Sequence, residues 1–370
     1  MLPKPDGCLG CPLAGDMTGF VPDELVTDSR VFVLAQNPGR DEEADGVPMV
    51  GLSGREVNTV FLPLAGLERR RDVSIGNVLK CRLSADSGRK SNDLPVGDTL
   101  HRAVQHCTKQ HLCIPDNVQL VVAHGDLAFR HTQGNIGALA DWRGFIGPQT
   151  YQGRPVYVTL HTASLYRDPK MRTIARIDWL KLGRYLRGEW PRAVPSRLVL
   201  RSNTTDLRHM VRSARCAPVV ALDTEYVRDK HLLTLIGLAW QQPDGTVTGC
   251  QLQWMGDPQV TSDVRTAFLQ ELHILVGTTP IVMHNAFADL LTLQELGIRV
   301  GEFRRIEDTM LMHSQLWSEL PHTLEFVAST HGNYNKMKQL RDTDQLLYNW
   351  GDCIETLAIY DNLRKELERT

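Results

Sequence analysis

The segment PVVALDTEY (residues 218–226) decides how the second half of the chain folds. It is an apolar run that ends in two acidic residues, Asp223 and Glu225, with Thr224 between them. Apolar runs with β-branched residues are typical of buried strands, and successive side chains of a strand point to opposite faces. We therefore expect both carboxylates on one face of a sheet, where they repel each other unless a cation neutralises them.

Two later segments add acidic residues and a tyrosine. In HNAFADLL (residues 284–291), Asp289 lies about one helical turn beyond the predicted strand IVMH. In YNWGD (residues 348–352), Tyr348 and Asp352 are four positions apart, so on a helix they share one face. Four carboxylates and a tyrosine can hold two divalent cations and orient a water molecule for in-line attack on a phosphodiester.

The remainder of the second half predicts a mixed sheet with helices packed on it. The apolar runs LLTLIGLAW (residues 232–240) and TVTGCQL (residues 246–252) are joined by QPDG, which is typical of a hairpin turn. A helix is expected at residues 264–276, and the pattern is mostly helical from Ala286 onward. Three strands followed by helices and a further strand indicate a mixed α/β architecture.

In order and spacing, the acidic motifs resemble those of the DEDDy family of 3′–5′ exonucleases. This family has an RNase H-like fold and includes the proofreading domains of family A DNA polymerases and the RNase D-type enzymes. The resemblance covers residues 196–370 and extends to IEDTMLMHSQL (residues 306–316) and LPHTLEFVAST (residues 320–330). It implies that two Mg²⁺ or Mn²⁺ ions are bound by Asp223, Glu225, Asp289 and Asp352. It also implies that Tyr348 orients the attacking water and that Asn285 lies near the substrate or behind the metal ligands.

The first half alternates apolar strands with helices. RVFVLA (residues 30–35), VQLVVAHG (residues 118–125) and PVYVTLH (residues 155–161) each run into a polar loop. In open α/β sheets, the loops that follow the strands form the functional site. The Gly- and Pro-rich stretch GEWPRAVPSR (residues 188–197) predicts a boundary between a domain at residues 1–190 and a domain at residues 196–370.

The segment CLGC near the N-terminus contains Cys8 and Cys11 at the sequence spacing typical of metal-chelating cysteines. Two cysteines do not complete a metal site, because structural zinc and iron–sulfur clusters take four ligands. Cys81, Cys107 and Cys113 are the further candidates, and their spacing does not decide between zinc and a cluster. The three later cysteines lie within predicted exonuclease elements and are interpreted as core thiols: Cys216, Cys250 and Cys353.

Four segments of the first half resemble, in order, the motifs of the iron–sulfur uracil-DNA glycosylases of family 4. They are CLGCPL, FVLAQNPGRDEEADGVPMVGLSG, IGNVLKCR and VTLHTASLYRDP, within residues 5–187. The resemblance implies an α/β/α sandwich and a [4Fe-4S] cluster, with zinc as the alternative, bound by Cys8, Cys11, Cys81 and Cys107. The segment SADSGRKSND (residues 84–93) lengthens the interval before Cys107 beyond the family's usual spacing and is predicted to be a surface loop.

The same resemblance implies a pocket for a uracil base flipped out of DNA. Asn77 would contact the Watson–Crick edge of the base, and His161 would lie beside a uracil carbonyl. Acidic residues of the first loop, Glu42 among them, would position water or stabilise the cationic sugar. The chain departs from the family at three positions: Gln36 replaces Glu, Met49 replaces Phe, and Thr162 replaces Pro. The sequence therefore predicts a glycosylase-like scaffold and leaves excision of uracil open.

The composition and net charge of the chain limit the kinds of binding partner that can be expected. The 370 residues carry a formal net charge of −2 and are 42% hydrophobic, so nucleic-acid binding must come from local basic patches. Such patches are predicted at ERRRD (residues 68–72), at GRK (residues 88–90), and in a helical stretch at residues 170–192. No apolar run is long enough for a membrane span and no signal peptide is visible, so a cytoplasmic protein without a membrane partner is expected.

Together these patterns predict a two-metal 3′–5′ exonuclease that acts on single-stranded or duplex 3′ ends of DNA in replication proofreading. Because the resemblance includes no polymerase domain, a separate polymerase chain is the expected partner, for example in a virus acting in the host cytoplasm. One alternative is a bifunctional uracil repair enzyme that also trims 3′ ends. Another is an exonuclease whose first domain is a non-catalytic docking module. RNA remains open as the substrate.

Overall fold

The structure is a computed structural model that describes residues 2–84, 94–190, 196–200, 204–227, 232–332, 340–341 and 343–369. The chain divides into two compact units, Met1–Glu189 and Trp190–Thr370. Nearly all of the predicted loop at residues 84–93, with the basic residues 88–90, lies outside the described residues. None of the described helices is both long enough and apolar enough to cross a membrane.

The first unit is built on a four-stranded parallel sheet with the order β3-β2-β5-β6. Its strands, together with a short antiparallel pair β1 and β4, are β1 (Met17–Thr18), β2 (Val31–Ala35), β3 (Val73–Asn77), β4 (Arg82–Leu83), β5 (Leu120–His124) and β6 (Val156–Thr159). Every residue of the four parallel strands is buried, as expected for a parallel sheet covered on both faces.

The described residues of this unit also form eight α-helices. They are α1 (Arg40–Asp45), α2 (Leu52–Glu56), α3 (Leu62–Leu64), α4 (Asp98–His111), α5 (Asp126–Gln133), α6 (Leu139–Trp142), α7 (Thr162–Leu165) and α8 (Met171–Leu186). A turn of π-helix at Val57–Phe61 joins α2 to α3. Because all four strands run parallel, their carboxyl ends meet at one edge of the sheet, where a ligand site is expected.

The second unit contains a mixed six-stranded sheet with the order β12-β11-β8-β9-β10-β7. Its strands are β7 (Ser196–Leu200), β8 (Val220–Val227), β9 (Leu232–Gln241), β10 (Val247–Gln253), β11 (Ile281–Met283) and β12 (Ile306–Asp308). Its helices are α9 (Thr204–Ala214), α10 (Ser262–Thr278), α11 (Ala286–Glu295), α12 (Thr309–Leu316), α13 (Leu324–His331) and α14 (Gln345–Leu367). Strands β8, β9 and β10 pair antiparallel, and the other pairs are parallel.

The two faces of this sheet are covered by different helices. Leu222 of β8 belongs to a core shared with α9 and α10, whereas Ala221 packs with Trp350 and Ile354 of α14. The alternation of the strand therefore turns Asp223 and Glu225 toward α14. The two-domain α/β architecture predicted from the sequence is confirmed, with a mixed sheet and helices on both of its faces in the second half.

Candidate metal-binding and catalytic site

Three carboxylates converge between β8 and α14. One oxygen of Asp223, one of Glu225 and one of Asp352 all lie within 4.8 Å of each other. The two-residue period of β8 brings the first two to one face, and the long helix α14 supplies the third from across that face. Asp223 and Asp352 are partly exposed, so the cluster opens to solvent on one side.

Asp289 accepts hydrogen bonds from Thr224, which lies between Asp223 and Glu225 on β8. It lies in the first turn of α11 and is buried. Its Oδ1 accepts hydrogen bonds from the Thr224 backbone N–H at 2.9 Å and from the Thr224 hydroxyl at 2.7 Å. The structure therefore places all four of the predicted acidic residues around one stretch of β8.

The electrostatics of the cluster favour a bound cation. Burial, followed by repulsion from Asp289, Asp352 and Glu225, raises the pKa of Asp223 well above its ordinary value. Burial is also the main cause that raises the pKa of Asp289 to about 7 and the pKa of Asp352 to about 7, and the Glu225 charge adds to both shifts. Converging carboxylate oxygens are the ligands that Mg²⁺ and Mn²⁺ prefer, so the residues present fit divalent metal ions.

Tyr348 lies one helical turn before Asp352 on α14. The two side chains share a hydrogen bond, and burial together with the Asp352 charge raises the pKa of Tyr348 above its ordinary value. The phenol therefore keeps its proton and stays a donor at neutral pH. The guanidinium carbon of Arg341 lies 5.9 Å from the centre of the Tyr348 ring. Its charge offsets part of the rise in the pKa of Asp352 that burial causes.

The side chain of Asn349 orients the Asp223 carboxylate through a hydrogen bond. Asn349 was not predicted as a site residue from the sequence. Its Nδ2 donates to Asp223 Oδ2 at 2.6 Å, and its Oδ1 accepts from Gln251 Nε2 at 2.7 Å. Gly237 of β9 pairs with Asp223, and a Cβ atom at Gly237 would lie 2.2 Å from Asn349 Oδ1. A lone glycine inside an apolar strand often marks such a close approach, and Gly237 in LLTLIGLAW is the feature that could have revealed the contact.

Asn285 lies at the surface immediately before α11 in a left-handed conformation with φ of 62°. Its backbone N–H and that of Ala286 donate to the Asp308 carboxylate at 3.1 Å and 2.9 Å. Asp308 also accepts the Met310 N–H at 2.8 Å at the start of α12. One carboxylate therefore anchors the beginnings of two helices, and in this way it fixes the turn that delivers Asp289.

The predicted pocket residues of the first unit lie at the carboxyl edge of its parallel sheet. Gln36 follows β2, Asn77 ends β3, and His161 follows β6. The register pairs Ala35 with Asn77, which brings the ends of β2 and β3 side by side. His124 ends β5 at the same edge and was not predicted as a site residue.

Glu42, Met49 and Asn77 come together beside this edge. Glu42 accepts the Gly39 N–H at 3.3 Å, and burial raises the pKa of Glu42, while contacts with the Met49 backbone and the Asn77 side chain act in the opposite direction. The side chain of Asn77 is buried, and its amide is directed at the Glu42 carboxylate. Met49 is buried and has a left-handed φ of 55°, which is uncommon for a residue other than glycine.

Two residues of the predicted basic patches have structural roles instead of an open position for nucleic acid. Arg69 donates to the Met49 carbonyl oxygen at 2.8 Å and pairs with Glu24 at 2.6 Å, so it supports the Met49 loop from inside. Lys181 of α8 is buried, with its ammonium 4.5 Å from the centre of the Phe145 ring. These two side chains face the protein interior, so the basic sequence runs overstated the charge that is open to DNA.

The four predicted cluster ligands line one cavity. They are Cys8, Cys11, Cys81 and Cys107. Burial is the main cause that raises the pKa of Cys81 to about 12 and of Cys107 to about 11. Four thiols at one cavity are the ligand set that either a structural zinc ion or an iron–sulfur cluster takes. Cys113 is exposed and does not line the cavity.

A cluster of carboxylates on a mixed sheet is an arrangement with which metal-dependent enzymes cleave phosphodiesters. Comparison with known families agrees: residues 199–368 match the 3′-5′ exonuclease family and residues 22–181 match the uracil DNA glycosylase superfamily. The chain therefore combines a uracil-DNA-glycosylase-like domain with a 3′-5′ exonuclease domain.

Individual relatives match one unit each. The type-4 uracil-DNA glycosylase of Archaeoglobus fulgidus is 29% identical over 182 residues, which are 48% of this chain and 86% of the relative. That of Sulfurisphaera tokodaii is 26% identical over 179 residues, which are 47% of this chain and 78% of the relative. The solved structure of Trypanosoma brucei RNase D with RNA U12 aligns with 46% of this chain and 62% of its own at 15% identity and a TM-score of 0.37, a similarity too weak to define a shared fold.

Proposed function

We propose that the second unit removes nucleotides from 3′ ends of DNA with two Mg²⁺ or Mn²⁺ ions held by Asp223, Glu225, Asp289 and Asp352. The convergence of the three carboxylate oxygens within 4.8 Å, with Asp289 fixed to Thr224 beside them, supports this proposal. When bound, such ions lower the pKa of a water molecule and stabilise the charge that develops on the phosphate.

The chain's own residues orient the reactants. Tyr348 keeps its proton and would hold the attacking water in line with the terminal phosphodiester. Water oxygen forms a bond to phosphorus, and the bond between phosphorus and the 3′ oxygen of the preceding nucleotide breaks. That oxygen takes up a proton, so the products are a nucleoside 5′-monophosphate and a chain shortened by one residue. Asn285, exposed at the start of α11, would contact the substrate near this position.

The substrate class is tested by digestion of matched pairs of oligonucleotides. Single-stranded DNA, duplexes with paired or mismatched 3′ ends, and RNA of the same sequence are incubated with the protein and Mg²⁺. We expect DNA to be shortened from the 3′ end, mismatched ends faster than paired ones, and no digestion by Asp223→Ala. Faster digestion of RNA than of DNA would contradict the proposed substrate.

A proofreading role implies that the 3′ end is passed from a polymerase. We propose a DNA polymerase as partner because residues 199–368 match a 3′-5′ exonuclease family, and removal of a mismatched 3′ nucleotide serves the enzyme that added it. Affinity capture of the full chain from its native cells is expected to recover a DNA polymerase, and that polymerase is expected to change the rate of digestion of mismatched ends. Recovery of no polymerase, with digestion unaffected by added polymerase, would contradict the proposal.

We further propose that the cysteine cavity of the first unit holds a [4Fe-4S] cluster. The four cysteines that line this one cavity support the assignment. Iron and acid-labile sulfide are measured in protein purified without oxygen. Cys81→Ser is expected to lose the cluster, whereas Cys113→Ser, a matched change at an exposed thiol, is expected to retain it. Stoichiometric zinc with little iron would overturn the assignment.

The first unit is proposed to bind uracil in DNA, with Asn77 and His161 as hydrogen-bond donors. The position of both residues at the carboxyl edge of the parallel sheet supports this role, because ligands of open α/β sheets bind at that edge. A uracil-containing oligonucleotide is expected to bind more tightly than its thymine counterpart. Abasic sites that form with Asp223→Ala but not with His161→Ala would show excision as well. Equal affinity for both oligonucleotides would leave a docking module that does not recognise uracil.

A further inference from the structure

His124 is fully buried at the end of β5, next to the proposed uracil pocket. Its Nε2 accepts the backbone N–H of Thr162 at 3.2 Å, and the Thr162 hydroxyl lies 3.3 Å from the same nitrogen. The proton of the neutral ring is therefore on Nδ1, which is buried and has no hydrogen-bond partner. An unsatisfied buried donor costs stability, so this arrangement is expected to serve a purpose beyond folding.

The group that His124 holds is the turn that carries His161. Thr162 is the first residue of α7, where backbone N–H groups have no partner within the helix. His161 Nδ1 accepts the next such group, the Ala163 N–H, at 3.1 Å. His161 therefore carries its own proton on Nε2. The rings of His124 and His161 are in contact, with their centres 4.8 Å apart, and a Cβ atom at Gly125 would lie 2.8 Å from His161 Cβ.

We propose that His124 is a positioning residue for the pocket: by holding Thr162 and packing against the His161 ring, it keeps His161 in the tautomer that donates from Nε2. The inference rests on the proposed uracil site, because an Nε2–H donor fits a base carbonyl on which negative charge develops. Trp179 also lies near the two rings, with its ring centre 6.2 Å from that of His124. Burial is the main cause that lowers the pKa of His161, and the charge of Arg167 adds to it.

The Thr162→Pro variant distinguishes a role of His124 in positioning His161 from a role in packing alone. Proline has no N–H, and its ring fixes the backbone angle that the Thr162 contact otherwise restrains. The first position of a helix favours proline, and His161 has the extended conformation (φ −73°, ψ 131°) that a following proline requires. In Thr162→Pro, position 162 has no N–H for His124 Nε2 to accept, and the proline ring restrains the turn in place of that hydrogen bond.

The test compares the full chain, with its cluster, as wild type, His124→Phe, Thr162→Pro and the double variant. Imidazole ¹⁵N NMR reports the His161 tautomer. We expect the Nε2–H tautomer in wild type, mixed tautomers in His124→Phe, and the wild-type pattern in both proline variants. An unchanged tautomer in His124→Phe would overturn the proposal. If that variant does not fold, loss of the wild-type pattern in the proline variants overturns it.

Binding measures the consequence for the pocket. Preference for a uracil-containing over a thymine-containing oligonucleotide is expected to fall at least tenfold in His124→Phe and to return in the double variant. A wild type that shows no preference would refute the proposed uracil site, while the NMR result would still decide whether His124 positions His161. If His124→Phe has an altered His161 tautomer but the same preference for uracil as wild type, the tautomer of His161 does not determine how the pocket recognises uracil.

Discussion

Asp223 depends on a single amide for its orientation. Asn349 donates to Asp223 Oδ2 at 2.6 Å, and both the amide and its partner Gln251 are fully buried. We expect Asn349→Leu to lower the affinity for Mn²⁺ about 10- to 100-fold, the usual effect of removing a residue that orients a metal ligand. Titration calorimetry measures this, with Gln345→Leu on the exposed start of α14 as the matched control. Equal affinities in the two variants would contradict the role.

The raised carboxylate pKa values predict how stability depends on pH. An unfolded aspartate has a pKa near 4, whereas Asp289 and Asp352 keep their protons to about pH 7 in the metal-free fold. Between about pH 4 and 7 the folded state binds more protons than the unfolded state, so its stability falls as pH rises. Divalent ions should therefore raise the melting temperature more at pH 8 than at pH 5. A metal-induced shift that is equal at both pH values would contradict this account.

The acidic residues could be anticipated from sequence because their positions follow the periods of regular structure. Asp223 and Glu225 are two apart on a strand, and Tyr348 and Asp352 are four apart on a helix. Asn349 could not be anticipated in this way. It acts across the sheet on a residue 126 positions earlier, and an asparagine beside a tyrosine has no periodic pattern of its own.

At the scale of elements, β9 must approach α14 closely enough for Asn349 to reach Asp223. A Cβ atom at Gly237 would lie 2.2 Å from Asn349 Oδ1 and 2.7 Å from Cys353 Sγ. Gly237→Ala is expected to destabilise the second unit by about 1–3 kcal/mol through overpacking and to weaken metal binding. Denaturant unfolding measures the loss. Gly277→Ala on α10, whose nearest atom would be 3.5 Å away, is the control and is expected to be neutral or stabilising.

Strands made of consecutive apolar residues were predictable, and a strand that contains polar residues and glycine was not. The runs that form β2, β5, β6, β8, β9 and β10 are visible in the sequence, whereas VSIGN, which forms β3, is not. Its Ser74 is buried in the sheet, and the Ser29 hydroxyl, 45 residues earlier, lies within hydrogen-bond distance of the Ser74 hydroxyl at 2.7 Å. A partner at that separation leaves no local pattern, although β3 ends in the pocket residue Asn77.

At the scale of the whole molecule, the chain consists of two units with separate cores. We expect two transitions in calorimetry under reducing, oxygen-free conditions. Mn²⁺ should raise only the transition of residues 190–370, and Cys81→Ser should lower only the transition of residues 1–189. A single transition that moves with both changes would show that the units unfold together.

The central claim is that the carboxylate cluster on β8, α11 and α14 hydrolyses DNA from the 3′ end with divalent ions. Metal-stripped protein is given a 5′-labelled single-stranded oligonucleotide, and the products are resolved by length after Mn²⁺ is added. The account predicts a ladder that shortens one nucleotide at a time from the 3′ end, that requires the metal, and that disappears in Asp352→Asn. Digestion that persists without metal, or in Asp352→Asn at the wild-type rate, would contradict it.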